Sequence, residues 1–90
     1  MELGIKEQTA LVLGGTRGLG WSCAQALAEA GARVIINGRD REHGMAAAAQ
    51  LPGGVFVAGD IGDEAQRDAL MAEVEKIGAP TIVVTNAGGP

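Results

Sequence analysis

The sequence holds 90 residues with a formal net charge of −4, and 47% of them are hydrophobic although Trp21 and Phe56 are the only aromatic side chains. At most one small domain fits this length, and a core so poor in rings must be built from Val, Ile, Leu and Ala, which favours parallel strands on alanine-rich helices over a β-sandwich. Scattered lysines and arginines argue against a nucleic-acid partner, a lone Cys23 and single histidine against a disulfide or structural zinc, and short apolar runs against a membrane span.

Residues 1–8 form a polar lead-in, charged at Glu2, Lys6 and Glu7, with Leu3 and Ile5 as packing contacts. There is no apolar signal core, so the expected setting is soluble, reducing and cytoplasmic. Ala10-Leu11-Val12-Leu13 is a continuous apolar run, the pattern of a strand buried on both faces. It leads into Gly14-Gly15-Thr16-Arg17-Gly18-Leu19-Gly20. From residue 21 to 30 the pattern is helical, with Ala24, Leu27 and Ala28 on one stripe and Gly31 as the stop. A chain that turns from strand directly into helix can require the positive φ that Gly14 permits. Gly18 and Gly20, without Cβ atoms, let a ligand approach the backbone and let the helix lie close to the strand. Open N–H groups and the positive end of the helix dipole then converge where a pyrophosphate would rest. The spacing G-x-x-x-G-x-G departs from the usual dinucleotide fingerprint, and in a chain with fifteen glycines a plain tight turn is the competing reading. A Walker-type loop is set aside because no Lys-Ser or Lys-Thr pair follows the last glycine. Trp21 and Cys23 are expected to be packed side chains.

Arg33-Val34-Ile35-Ile36-Asn37 is a second buried strand, and strand, helix and strand together make a right-handed βαβ unit with its strands parallel and adjacent. At the end of that second strand a dinucleotide fold selects its cofactor. An acid there holds a ribose 2′-hydroxyl, whereas an arginine accommodates a 2′-phosphate. Here the strand ends in Asn37 and Arg39 follows, which favours NADP over NAD; the plainer alternative is a turn with a solvated arginine. Residues 40–51 are helical by composition, with Met45, Ala48 and Ala49 as apolar positions, Pro52-Gly53-Gly54 as the stop, and Gly44 weakening the helix by up to about 1 kcal/mol relative to alanine. His43, among charged neighbours in the first turn, reads as exposed rather than catalytic.

Val55-Phe56-Val57-Ala58 is a third strand that ends at Gly59-Asp60-Ile61-Gly62. Asp63 is better placed than Asp60 to cap the helix from Glu64 to Ile77, which frees Asp60 for another role, such as accepting from an adenine amino group. That helix presents Ala65, Ala69, Leu70, Ala72, Val74 and Ile77 and stops at Gly78-Ala79-Pro80. Residues 81–85 form a fourth strand running into Asn86-Ala87-Gly88, at the carboxyl edge where open α/β sheets bind ligands.

Four motifs, each following a strand, thus stand in order: the glycine loop, Asn37-Gly38-Arg39, Asp60-Ile61 and Asn86-Ala87-Gly88. Over the whole sequence they resemble the N-terminal part of the short-chain dehydrogenase/reductase family, most of all its bacterial 3-oxoacyl-[acyl-carrier-protein] reductase-like members. The resemblance implies an α/β fold, a Rossmann-type parallel sheet with helices on both faces. It is cut to a β-α-β-α-β-α-β half in strand order 3-2-1-4, with residues 1–90 as one partial NADP-binding domain. It also implies that Gly14, Gly15, Gly18 and Gly20 form the pyrophosphate loop, with Leu19 giving backbone contacts near the nicotinamide half. Thr16, Arg17 and Arg39 would bind the adenosine ribose and its 2′-phosphate with Asn37 beside them. Asp60 and Ile61 would flank the adenine, and Asn86, Ala87 and Gly88 would line the cofactor and steady the sheet. Leu13 stands where the family usually has threonine, and Thr85 where it has a second asparagine.

The implied cofactor is NADP(H), with NAD(H) fitting less well, and the implied assembly is a homo-oligomer with no nucleic-acid or membrane partner. The parent reaction would be hydride transfer between NADP(H) and a carbonyl or alcohol, a 3-oxoacyl thioester being one candidate. The family's catalytic tyrosine, lysine, serine and asparagine lie beyond position 90, and the sequence contains no tyrosine. No catalytic residue and no metal ligand is therefore assigned, and the chain is expected to be a truncation, remnant or fragment that is inactive alone. The alternative is a non-catalytic nucleotide-binding or self-associating module, motivated by the apolar edge that Ile82, Val83 and Val84 would leave unpaired. A methyltransferase-like nucleoside site fits worse, because the second strand lacks a terminal acid.

Overall fold

The computed structural model describes residues 8–85, in which four strands and three helices alternate along the chain. The strands β1 (Thr9–Leu13), β2 (Arg33–Gly38), β3 (Val55–Ala58) and β4 (Ile82–Thr85) lie in the order β3-β2-β1-β4. Each neighbouring pair is parallel, so the chain must return across the sheet between strands, and α1 (Gly18–Glu29), α2 (Arg41–Ala48) and α3 (Glu64–Ile77) are those returns.

Burial on both faces explains why β1 and β2 are uninterrupted apolar runs. Ala10, Leu11, Val12, Val34, Ile35 and Ile36 are all inaccessible to solvent. The two-residue period of a strand then divides them. Ala10, Val12, Val34 and Ile36 pack with Ala24 of α1, with Ala47 and Ala48 of α2 and with Phe56. Leu11, Ile35 and Val57 face the other way, onto Leu70 and Val74 of α3. Leu13 is half-buried on this second side, and Trp21 is half-buried against the first. Arg33 at the start of β2 donates from a guanidinium nitrogen to the Ile77 carbonyl at 3.1 Å, closing the last turn of α3 with a cation, as its dipole favours.

Strand order, β3, the bounds of α3 and the packed stripe of α1 follow the sequence expectation, whereas α1 and α2 differ in extent and α2 and α3 in facing. The first begins at Gly18 rather than residue 21, so the last two glycines of the loop belong to its opening turn. The second ends at Ala48, and the Gln50 and Leu51 N–H groups donate to the Ala47 and Ala48 carbonyls in a closing turn. Its inward side is Gly44, Ala47 and Ala48, while Met45 is 54% exposed and Ala49 is exposed, against expectation. Gly44 is the cause. A Cβ there would sit 2.0 Å from Cε1 of Phe56, so the helix backbone itself lies on that ring. In α3 the alanines Ala65, Ala69 and Ala72 are exposed, and Leu70 and Val74 with the half-buried Met71 and Ile77 make the contact face. Larger side chains remove more apolar area from water, and they set the rotation of the helix.

Candidate functional site

The carboxyl ends of β1, β2 and β3 open onto a cleft of about 830 Å3, lined by Gly14, Thr16 and Arg17, by Asn37, Gly38, Arg39 and Asp40, and by Gly59, Asp60 and Ile61. Ten residues distant in sequence meet there because the parallel register brings Leu13 level with Asn37, and Gly38 level with Ala58. The glycine loop turns at Gly14 (φ 70°) and again at Gly18 (φ 58°), with Arg17 extended between them. A Cβ at Gly18 would meet nothing within 4 Å, so the backbone conformation, not space, calls for glycine. Gly15 is needed for space: a Cβ there would lie 2.9 Å from the Val12 carbonyl oxygen and 3.1 Å from an Ile36 methyl.

The three helices begin differently. Asp40 caps α2 by accepting from the His43 N–H at 3.1 Å, and Asp63 caps α3 by accepting from the Ala65 and Gln66 N–H groups at 2.9 and 3.2 Å. Both first turns also carry a glutamate. The cap position of α1 is Arg17, whose side chain makes no capping bond, and its first turn contains no acid. The positive end of this helix dipole is therefore neither capped nor neutralised where it meets the cleft. Arg17 and Arg39 are both exposed on the cleft walls, and Leu19, 77% exposed, projects from the same turn. Backbone donors and two guanidinium groups of one sign make a receiver for an anion.

Asn37 lies at the floor of the cleft and is 2% exposed. Its amide Nδ2 donates inward to the Val57 and Gly59 carbonyls at 3.1 and 3.0 Å, and its own carbonyl accepts from the Gly15 N–H at 3.0 Å. It lines the cleft but spends its amide on the scaffold. The opposite wall is braced as well. Asp60 accepts from the Gly62 N–H at 2.9 Å and donates its own N–H to Gln66 Oε1 at 2.9 Å, while Arg67 donates to the Ile61 carbonyl at 2.8 Å. Thr16 packs over Gly38, where an added Cβ would sit 3.0 Å from its methyl. Its carbonyl meets Nε2 of His43 at 3.1 Å.

Eleven of the residues expected from sequence fall on the described part of the chain, and the structure gathers Gly14, Thr16, Arg17, Asn37, Arg39, Asp60 and Ile61 around one cleft. Gly15 and Gly20 are buried beneath or behind the loop, and Gly18 and Leu19 form the opening of α1. Asn86, Ala87 and Gly88 lie outside the described residues. What the sequence did not disclose is the bracing: Gln66 and Arg67 behind Asp60 and Ile61, and His43 behind Thr16. An asparagine closing a strand that is otherwise apolar was a usable signal for an inward amide, but His43 carries no such local sign. Among the described residues no cluster of His, Cys, Asp and Glu could hold a metal ion, and no helix is long and apolar enough to cross a membrane.

The profile of the family described as short chain dehydrogenase matches residues 8–90. L-fucose dehydrogenase of Rattus norvegicus is 37% identical over 79 residues, which is 87% of this chain and 29% of that protein. The NADP-dependent (R)-specific alcohol dehydrogenase of Lentilactobacillus kefiri is 40% identical over 88 residues, covering 93% of this chain and 35% of that one. Among solved structures, the Pseudomonas aeruginosa RhlG/NADP active-site complex superposes with a TM-score of 0.88 at 36% identity, covering 93% of this chain and 36% of that one. The chain thus spans about a third of the length of the relatives it matches.

Proposed function

The chain belongs to the short-chain dehydrogenase family, and on that premise we propose that residues 1–90 are the NADP(H)-binding portion of an oxidoreductase that transfers hydride between NADP(H) and a carbonyl or alcohol. The observation that carries the reading is the uncapped, acid-free start of α1, at whose cap position Arg17 lines the same cleft as Arg39. The diphosphate bridge would lie over the N–H groups at residues 18–20, and the two arginines would hold the extra phosphate on the adenosine ribose. The carboxylate that NAD would ask for at the end of β2 is missing: Asn37 stands there with its amide turned inward, and Asp40 accepts from the His43 N–H. The names of two similar proteins mention NADP, which supports the same choice. Asp60 and Ile61 would flank the adenine, and the Asn86-Ala87-Gly88 motif would line the cofactor.

The nicotinamide ring supplies the hydride chemistry, and the residues of this chain bind and orient its carrier. The substrate we favour is a 3-oxoacyl thioester, on the strength of the Gly-Thr-Arg-Gly-Leu-Gly run, with a cytoplasmic, homo-oligomeric parent enzyme. A second reading, self-association, is favoured by one observation: β4 bonds to β1 alone among the described strands, and Val83 is 55% exposed.

Titration of the chain with NADPH and NADH, followed by nicotinamide fluorescence or heat, tests the reading. NADPH should bind more tightly, and Arg39→Ala should weaken NADPH about tenfold or more while leaving NADH nearly unchanged, the loss expected for one charge-assisted bond. Equal binding of the two nucleotides, or none at millimolar concentration, would reject it.

A further inference from the structure

We propose that His43 is a positioning residue for the glycine loop: from the first turn of α2 its Nε2–H donates to the Thr16 carbonyl, 3.1 Å away, and holds the Thr16–Arg17 peptide in the orientation that receives the dinucleotide. The inference rests on the cofactor reading above and extends it to a residue 27 positions beyond Thr16.

The direction of the bond follows from chemistry. A carbonyl oxygen can only accept, so the imidazole nitrogen facing it must carry the proton. The contact therefore selects the Nε2–H form of the ring. A planar trans peptide directs its C=O and N–H to opposite sides, so fixing the Thr16 oxygen towards α2 aims the Arg17 N–H away from α2. Arg17 is the residue that opens α1, and no side chain caps it.

The anchor is itself rooted. The His43 N–H donates to Asp40 Oδ1 at 3.1 Å, and the Gly44 N–H donates to the Asp40 carbonyl at 2.8 Å. Asp40, His43 and Thr16 form a continuous brace from the turn after β2 to the glycine loop. The other side of Thr16 rests on Gly38, so the residue is held from two directions. Such holding matters because the loop is flanked by Gly14 and Gly18, both at positive φ, which contribute no side chain to stiffen it. His43 is exposed, so burial gives the ring no other task.

Three chains decide the matter: the unmodified one, His43→Leu, which removes the donor, and His43→Gln, whose amide N–H can replace it. In the ligand-free unmodified chain, nitrogen-15 spectra of the imidazole should place the proton on Nε2. His43→Leu should speed amide exchange at Arg17 and Gly18 and weaken NADPH and NADH alike by roughly three- to tenfold, the range for one hydrogen bond. His43→Gln should restore both readouts to within about twofold, a rescue that loss of helix packing would not show. Protonation on Nδ1 with Nε2 bare, unchanged loop exchange in His43→Leu, or failure of His43→Gln with the fold intact would each overturn the proposal. If the unmodified chain binds neither nucleotide, the cofactor reading falls, and the tautomer and exchange results still decide whether His43 holds the loop.

Discussion

Asn37 occupies the position where a dinucleotide fold selects its ribose, yet its amide is bound to the scaffold. Its amide holds the carbonyls of Val57 and Gly59, 20 and 22 residues further along the chain. Replacing it with alanine leaves those acceptors without their donor in a nearly dry environment, a loss that typically costs about 1–3 kcal/mol. Urea unfolding of Asn37→Ala should show a destabilisation of that size, and a change below about 0.5 kcal/mol would mean that water replaces the amide without loss. At this scale the sequence was only partly legible. It placed Gly14 at the turn, and φ of 70° bears that out. It could not reveal the partners of Asn37 or His43, because a hydrogen bond between residues brought together by strand register leaves no mark on either local pattern.

Among the elements, α2 is where intrinsic preference and packing disagree. Preference alone makes Gly44 a weakness that alanine would repair. In the fold the added methyl would stand 2.0 to 2.4 Å from three atoms of the Phe56 ring, and Phe56 is only 9% exposed. Overpacking of this kind costs about 1–3 kcal/mol, more than the gain in helix preference. Gly44→Ala should accordingly lower the melting temperature, and a rise would show that the ring moves aside freely. The strands were readable because a doubly covered strand must be apolar throughout, and Val55–Ala58 emerged with the expected bounds. Helix facing was harder to read. Alanine and methionine mark no side strongly, so Met45 and Ala69 looked suited to a core from which they are exposed, while Leu70 and Val74 supply it as expected and Ala47 supplies it unannounced.

For the whole molecule, the alternation of strands and helices and the handedness of the crossover predicted β1 and β2 parallel and adjacent, whereas the full order β3-β2-β1-β4 was implied by the family resemblance. The same order leaves β3 and β4 at the margins among the described strands. Val83 stands level with Leu11, on the face that α3 covers elsewhere, but unlike the fully buried Leu11 it is 55% exposed. An uncovered valine on a margin with open backbone groups invites pairing with another chain. The chain should therefore self-associate with rising concentration, and Val83→Lys should shift sedimentation equilibrium towards monomer. A wild-type chain that stays monomeric at high micromolar concentration would refute this.

The bonding of Asn37 has a consequence for how the cleft comes apart. Its backbone carbonyl holds Gly15 on one wall and its amide holds Gly59 on the other, so both walls are fastened to one buried residue. A fluctuation that withdraws Asn37 breaks both bonds at once. The amides of Gly15 and Asp60 are therefore expected to exchange as one opening unit, although they belong to different crossovers, and native-state amide exchange checks this.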